Sequence, residues 1–242
     1  MKRYVVAGAL MFLVVLVVSF PARVAYRWIP LPDVTLTGIS GSIWNGRADE
    51  ALAGGAYLRN LSWSFRPAKL LSGQLAFHTS SNPASGALAT DVAIAPGGEL
   101  TLSGMTGNLP LELVHPSFQA DGLKGDIRLD FDDVRVRSGW ITSIDGAVSV
   151  TNLYVPALSA APLGDYLATF GMEGPAINAT VDDTAGVIDV DGVITIRPDR
   201  SYSFSGDVAA RPDAPPSIEQ QLRYLGSPDV RGMRPFRIEG VL

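Results

Sequence analysis

Acid–base and nucleophilic chemistry has few carriers in this chain: its imidazoles are His78 and His115, and its 242 residues include no cysteine. Activating a Ser or Thr hydroxyl requires a base held within hydrogen-bond reach. His78 lies in the run Phe77 to Ser81 and His115 precedes Pro116, so each reads as a solvated or hydrogen-bonded histidine. No Gly-rich phosphate loop, His-x-x-His pair or Gly-x-Ser-x-Gly elbow occurs. Without cysteine there is no disulfide, thiolate nucleophile or zinc–thiolate site.

The aspartates offer a second possibility. Asp130, Asp132 and Asp133, and again Asp189 and Asp191 ahead of Gly192, resemble fragments of a calcium loop. After Gly192 the chain continues Val193, Ile194, Thr195, Ile196, with no acidic residue at the closing position that an EF-hand requires. Alternating Asp on the wet face of a strand is the simpler account. The residues therefore predict no enzyme, no cofactor and no metal. A net charge of -5 argues against binding a phosphate backbone, so nucleic acid is not an expected partner.

The element that would position any exported body is N-terminal. After Lys2 and Arg3 comes an uncharged run, Tyr4 to Phe20, carrying Val5, Val6, Leu10, Phe12, Leu13, Val14, Val15, Leu16, Val17, Val18 and Phe20. As a helix it covers about 25 Å, and about ten strongly apolar residues favour insertion by about 3 to 6 kcal/mol. Tyr26 and Trp28 suit the headgroup layer, with Arg23 and Arg27 reaching past it. A cleaved signal peptide shares this opening. Cleavage after Ala22 or Ala25 would put Phe20 or Arg23 three residues before the cut, so retention of the anchor is favoured. The expectation is residues 1–28 as cytoplasmic tip and single-pass transmembrane anchor, with residues 29–242 as one periplasmic domain.

From Leu31 onward short alternating segments recur between Gly, Pro, Asn and Asp, which predicts a mainly β body. Leu75 to Thr79, Asp126 to Phe131, Ile141 to Val150, Val187 to Ile196 and Tyr202 to Ala209 are the clearest strands. Glycines interrupt the alternation at Gly38 and Gly41, at Gly104 and Gly107, and at Gly192, which predicts a long, bent sheet with bulges. Two or three short helices are expected. Ser217 would cap the last, with Gln220 at the capping-box position and Gly226 closing it. Pro162 to Phe170 has a helical apolar face in Leu163, Tyr166, Leu167 and Phe170, and Pro110 to Val114 fits a single turn. Trp44 and Trp63 are placed as core aromatics on neighbouring strands, with Asn45 and Gly46 as a hairpin turn.

Three sets of residues carry a resemblance. The first is Gly38 to Ala48, reading G-I-S-G-S-I-W-N-G-R-A, followed by Trp63, Pro67 and Gly73. The second is Leu163 to Tyr166, L-G-D-Y, with Gly164 and Asp165, leading to Asp182 to Gly186. The third is Leu222 to Leu242, with Gly226, Gly232 and Gly240 and the ending I-E-G-V-L. In this order, behind an anchor, they resemble the N protein of the bacterial type II secretion system over nearly the whole chain. The resemblance implies an inner-membrane component of the apparatus that exports folded proteins from the periplasm, working with other secretion components. A looser similarity is to AsmA- and TamB-type envelope proteins. It implies a curved sheet whose apolar groove takes lipid, against which a sandwich-like core predicts the same alternation.

Overall fold

The computed structural model describes residues 2–28, 34–53, 56–82, 86–111 and 122–241. His115, Gly54 and Gly55 lie outside these residues, as does most of the turn expected at Pro110 to Val114. Helix α1, Lys2–Val18, is followed by a short helix α2, Ala22–Trp28. The Ser19 hydroxyl bonds back to the Val15 carbonyl at 2.6 Å. Pro21, whose ring clashes with a preceding helical turn, lies just beyond the end of α1. The expected run from Tyr4 to Phe20 is thus helical only to Val18. Among the described residues no helix is long and apolar enough to cross a membrane.

Most of the remaining described residues form one 14-stranded antiparallel sheet. Its strands are β1 Val34–Thr37, β2 Ser40–Gly41, β3 Asn45–Ala53, β4 Ala56–Phe65, β5 Leu75–Ser81, β6 Ala87–Ile94 and β7 Leu100–Pro110. They continue as β8 Lys124–Arg137, β9 Trp140–Tyr154, β10 Gly164–Glu173, β11 Ala176–Asp183, β12 Ile188–Ile196, β13 Ser201–Ala210 and β14 Arg234–Val241. From β3 onward each strand pairs with the next in sequence, while β1 and β2 both lie along β3. All five of the clearest predicted segments are strands.

Pairing in register keeps one face apolar from strand to strand. Leu102, Val134 and Ile144 stand in one row across β7, β8 and β9, and Met105, Phe131, Gly146 and Phe170 in another across β7 to β10. Phe131, Val134, Ile144 and Ile177 are the buried centre of this face. Among the described residues no second sheet covers it, and most of its side chains are only half-buried. The accessible surface of 15105 Å² accordingly exceeds the about 10,400 Å² that compact packing gives a chain of this mass. A sandwich-like core is therefore corrected to a single open sheet with one apolar side.

The glycines do two things. Gly104 (φ +58°) lies in a bulge where β7 carries an extra residue against β6, as expected. At Gly107 and Gly192 the ladders continue in register, so the bulges expected there do not form; Gly46, Gly192 and Gly240 instead make floors for rings. A Cβ on Gly46 would lie 2.7 Å from Trp63 Cε2, on Gly192 2.8 Å from Phe204 Cε2, and on Gly240 2.7 Å from Tyr202 Cε1. Trp63 and Tyr202 lie directly across from their glycines, and Phe204 reaches Gly192 diagonally from two residues before its partner Gly206, an arrangement that covers exposed backbone and fixes register.

Helices depart most from expectation. Pro162 to Phe170 is not helical: Gly164–Glu173 is strand β10. Tyr166, Ala168 and Phe170 share the apolar face by period two, and tertiary pairing on both sides overrides the 3.6-residue spacing. The last helix, α3, spans Pro216–Leu222 with Pro216 in its first turn and no side-chain cap, so Ser217 does not cap it. A 3-10 turn, Arg223–Leu225, extends it to Gly226 at φ +107°, which does end it. Ile218 of α3 is fully buried, and Gln221 Nε2 donates to the Leu158 carbonyl at 3.3 Å, docking the helix beside the β9–β10 connection. A 3-10 turn at Pro67–Ser72 was not foreseen.

Candidate functional site

A helix end leaves backbone carbonyls without intrahelical partners, and here the sheet supplies one. Trp44 Nε1 donates to the Val17 carbonyl at 2.8 Å, and Ile43 N–H to Phe20 O at 3.0 Å. Pro21 forms a β-bridge with Ser42. The turn Ser42 to Trp44 is tied by Ser42 N–H to Asn45 O at 2.8 Å and by Asn45 N–H to Ser42 Oγ at 3.1 Å. Asn45 and Gly46 are thus the first residues of β3, corrected from a hairpin turn, because Ser42 supplies the turn's hydrogen bonds instead.

Trp44 is corrected as well. It stands in that turn rather than on a core strand, and its ring meets Phe65 at 4.8 Å between centroids. Phe65 in turn meets Phe77 at 5.6 Å. An aromatic run therefore leads from the end of α1 onto the apolar face. Trp63 lies on that face over Gly46, half-buried like Trp44. Trp44→Phe keeps the stacking and removes the indole N–H. A net loss of about 1 kcal/mol, or about fivefold in opening of the junction, is expected. Protease cleavage between Ser19 and Trp28 in the full chain should speed up by that factor while the melting of the sheet stays unchanged.

Helix α2 closes the neighbouring edge. The Tyr26 hydroxyl donates to Val34 O at 3.2 Å and accepts from Leu36 N–H at 3.1 Å, satisfying edge groups of β1 that would otherwise face solvent. Nothing in the sequence marked Tyr26 for this. Phe65 and Phe77 were legible as apolar alternation, but not as a run ending at Trp44.

The far end of the apolar face holds a buried charge. The Asp183 side chain is 4% exposed; its Oδ1 accepts from Val190 N–H at 3.1 Å, and Oδ2 meets the Arg211 guanidinium as an ion pair without hydrogen-bond alignment. Tyr166 lies opposite Asp183 and donates to Leu163 O at 3.2 Å. Burial, aided by the Asp183 charge, pushes its phenol up to about 12. Of the motif residues, Asp165 accepts from Asn152 N–H at 2.9 Å, and Gly164 (φ +107°) packs against the Ala185–Gly186 backbone. Gly73 (φ +74°) closes the first 3-10 turn, and Gly232 (φ +85°) donates to Asp229 O at 3.0 Å.

The polar face carries the residues that could have done chemistry. His78 Nδ1 and Asp91 Oδ1 lie 2.6 Å apart, with Arg66 at 3.4 Å from the same oxygen. Ser64 is aligned with them by register across β4, β5 and β6, yet the imidazole's hydrogen-bond partner among the described residues is Asp91. Asp133 is bonded to Arg135 at 2.8 Å. Asp182, Asp191 and Asp207 form one row across β11 to β13, and Arg231 bridges Asp207 and Asp229, each at 3.0 Å. Among the described residues no group of three or more potential ligands is placed to hold a metal ion.

Residues 32–237 match the family described as type II secretion system (T2SS), protein N. The chain belongs to the type II secretion system protein N family. It is 27% identical over 255 residues to the type II secretion system protein N of Aeromonas hydrophila, covering 99% of each chain. It is 26% identical over 263 residues to the protein N of Vibrio cholerae, with all of both chains covered, and 26% identical to that of Klebsiella pneumoniae over 99% of this chain and 97% of that one. No solved structure matches. The family's match begins after α2, includes the Ser42 to Trp44 turn and reaches into β14, so the three motif sets read from the sequence fall within or beside it.

Proposed function

We propose that this protein is a non-enzymatic inner-membrane component of the type II secretion system, held by α1 and presenting its sheet in the periplasm to other secretion components. The observation that carries this reading is the junction: a helix uncharged from Tyr4 onward, with outward apolar side chains, is bonded through Val17 and the following Phe20 to one end of the sheet. At about 25 Å the helix is shorter than a bilayer core of about 30 Å, a mismatch met by local thinning and by flanking Tyr and Trp at the interface. Lys2 and Arg3 favour a cytoplasmic tip. Family membership supplies the secretion role. Protease added to spheroplasts should digest the sheet while the chain fractionates with inner membrane. Protection of the sheet, or a soluble periplasmic form, is the contrary result.

A second reading rests on a different observation, the half-exposed apolar face that the aromatic run joins to α1. Such a face suits lipid acyl chains. A photoactivatable phospholipid should then label residues of that face, such as Val136 or Ile196, in preference to the polar face; equal labelling of both faces removes this reading.

A further inference from the structure

The two edges of the sheet are treated differently. At the first, the Tyr26 hydroxyl satisfies Val34 and Leu36. At the other, β14 is eight residues long, and among the described residues no strand lies beyond it. Ile238 is 54% and Val241 76% exposed.

Which backbone groups β14 offers follows from the ladder. Arg211 N–H bonds Val187 O and Arg197 N–H bonds Ser201 O, each at 2.9 Å. In the unbroken β12–β13 register, the odd-numbered residues of β13 therefore bond to β12. The even-numbered ones bond to β14, through Arg234, Phe236, Ile238 and Gly240. The amides of Arg237, Glu239 and Val241 and the carbonyl of Pro235 face the open edge. Proline is tolerated only where its missing N–H points outward, and Pro235 does so.

We propose that β14 is a self-association edge: two copies of this chain pair their β14 strands antiparallel about a two-fold axis at Ile238. Charge selects the register. Centring on Arg237 sets two arginines opposite each other, and centring on Glu239 sets two glutamates opposite, both unfavourable. Centring on Ile238 places Arg237 opposite Glu239 of the second copy, twice, with Ile238 against Ile238. It also places Phe236 across from Gly240 of the second copy, repeating the ring-over-glycine pairing of Trp63 with Gly46 and Tyr202 with Gly240 within the chain. Edge charges ordinarily discourage pairing between copies; here they are of opposite sign and self-complementary. The two apolar faces become continuous, and the two α1 helices lie at opposite ends of the joined sheet.

The chain has no cysteine, so one introduced thiol reports on itself. Paired Cα atoms at a non-hydrogen-bonded position lie about 4.5 Å apart, within disulfide reach. Full-length Ile238→Cys, in its membrane under mild oxidant, should run mainly as a disulfide-linked homodimer, and Val241→Cys should not. Adding Arg237→Glu should cut the dimer yield about tenfold, and Arg237→Glu with Glu239→Arg should restore it. Matching melts of the reduced variants establish that each is folded. Ile238→Cys remaining monomeric or linking to a different protein would overturn the proposal. So would Glu239→Cys or Val241→Cys linking as readily, or a yield indifferent to the charge reversal.

Discussion

Gly146→Ala should lower the melting temperature of the protein by roughly 10 °C, whereas Gly97→Ala should leave it nearly unchanged. Gly146 has φ +141°, and its new Cβ would lie 2.5 Å from Phe131 Cα, a backbone atom that cannot turn aside. The left-handed conformation costs an L-residue about 1 to 2 kcal/mol and overpacking about 1 to 3 more. Phe131 and Phe170 meet over this glycine with ring centroids 5.7 Å apart, so a shift there spreads into the buried centre of the sheet. Gly97 has open space around its Cβ position and lies in the turn between β6 and β7. Thermal melts of the two variants beside the parent decide it, and equal melts would mean that the sheet yields at β9.

Arg211→Ala is expected to destabilise the fold by about 2 to 4 kcal/mol, because it strands the Asp183 carboxylate in a site that is 4% exposed. The lower part of that range reflects the half-exposed guanidinium. Asp183→Asn keeps an acceptor for Val190 N–H while removing the charge, so Arg211→Ala should cost little in that background. The double-mutant cycle in urea isolates the pair. Additive effects would show that Arg211 acts by packing alone.

Most strands were legible because one face of the sheet is apolar and the other wet, which writes a period of two into β5, β8, β9, β12 and β13. Helical spacing misled at Leu163 to Phe170, where the same side chains also alternate and only pairing with β9 and β11 decides between the two. The glycines in alternating runs were visible, but their use as floors for Trp63, Phe204 and Tyr202 depends on residues 10 or more positions away that register alone brings opposite. Trp44 looked like core for the same reason. Its partner, the Val17 carbonyl, is a backbone group, and no side-chain pattern announces that. The buried Asp183 gave no signal either, since Asp182 and Asp183 are neighbours on opposite faces and only one of them enters the apolar side.

The most direct measurement for the account as a whole is secretion of a type II cargo by cells whose own copy of this gene is deleted. Deletion should leave the cargo in the periplasm. The full chain should restore its appearance in the medium, and so should His78→Ala, whose imidazole meets the surface carboxylate of Asp91. The sheet exported behind a cleavable signal in place of residues 2–28 should not restore it, since the proposed role depends on attachment through α1. Undiminished secretion after deletion, or full rescue by the unanchored sheet, would contradict a membrane-held component of the secretion machine.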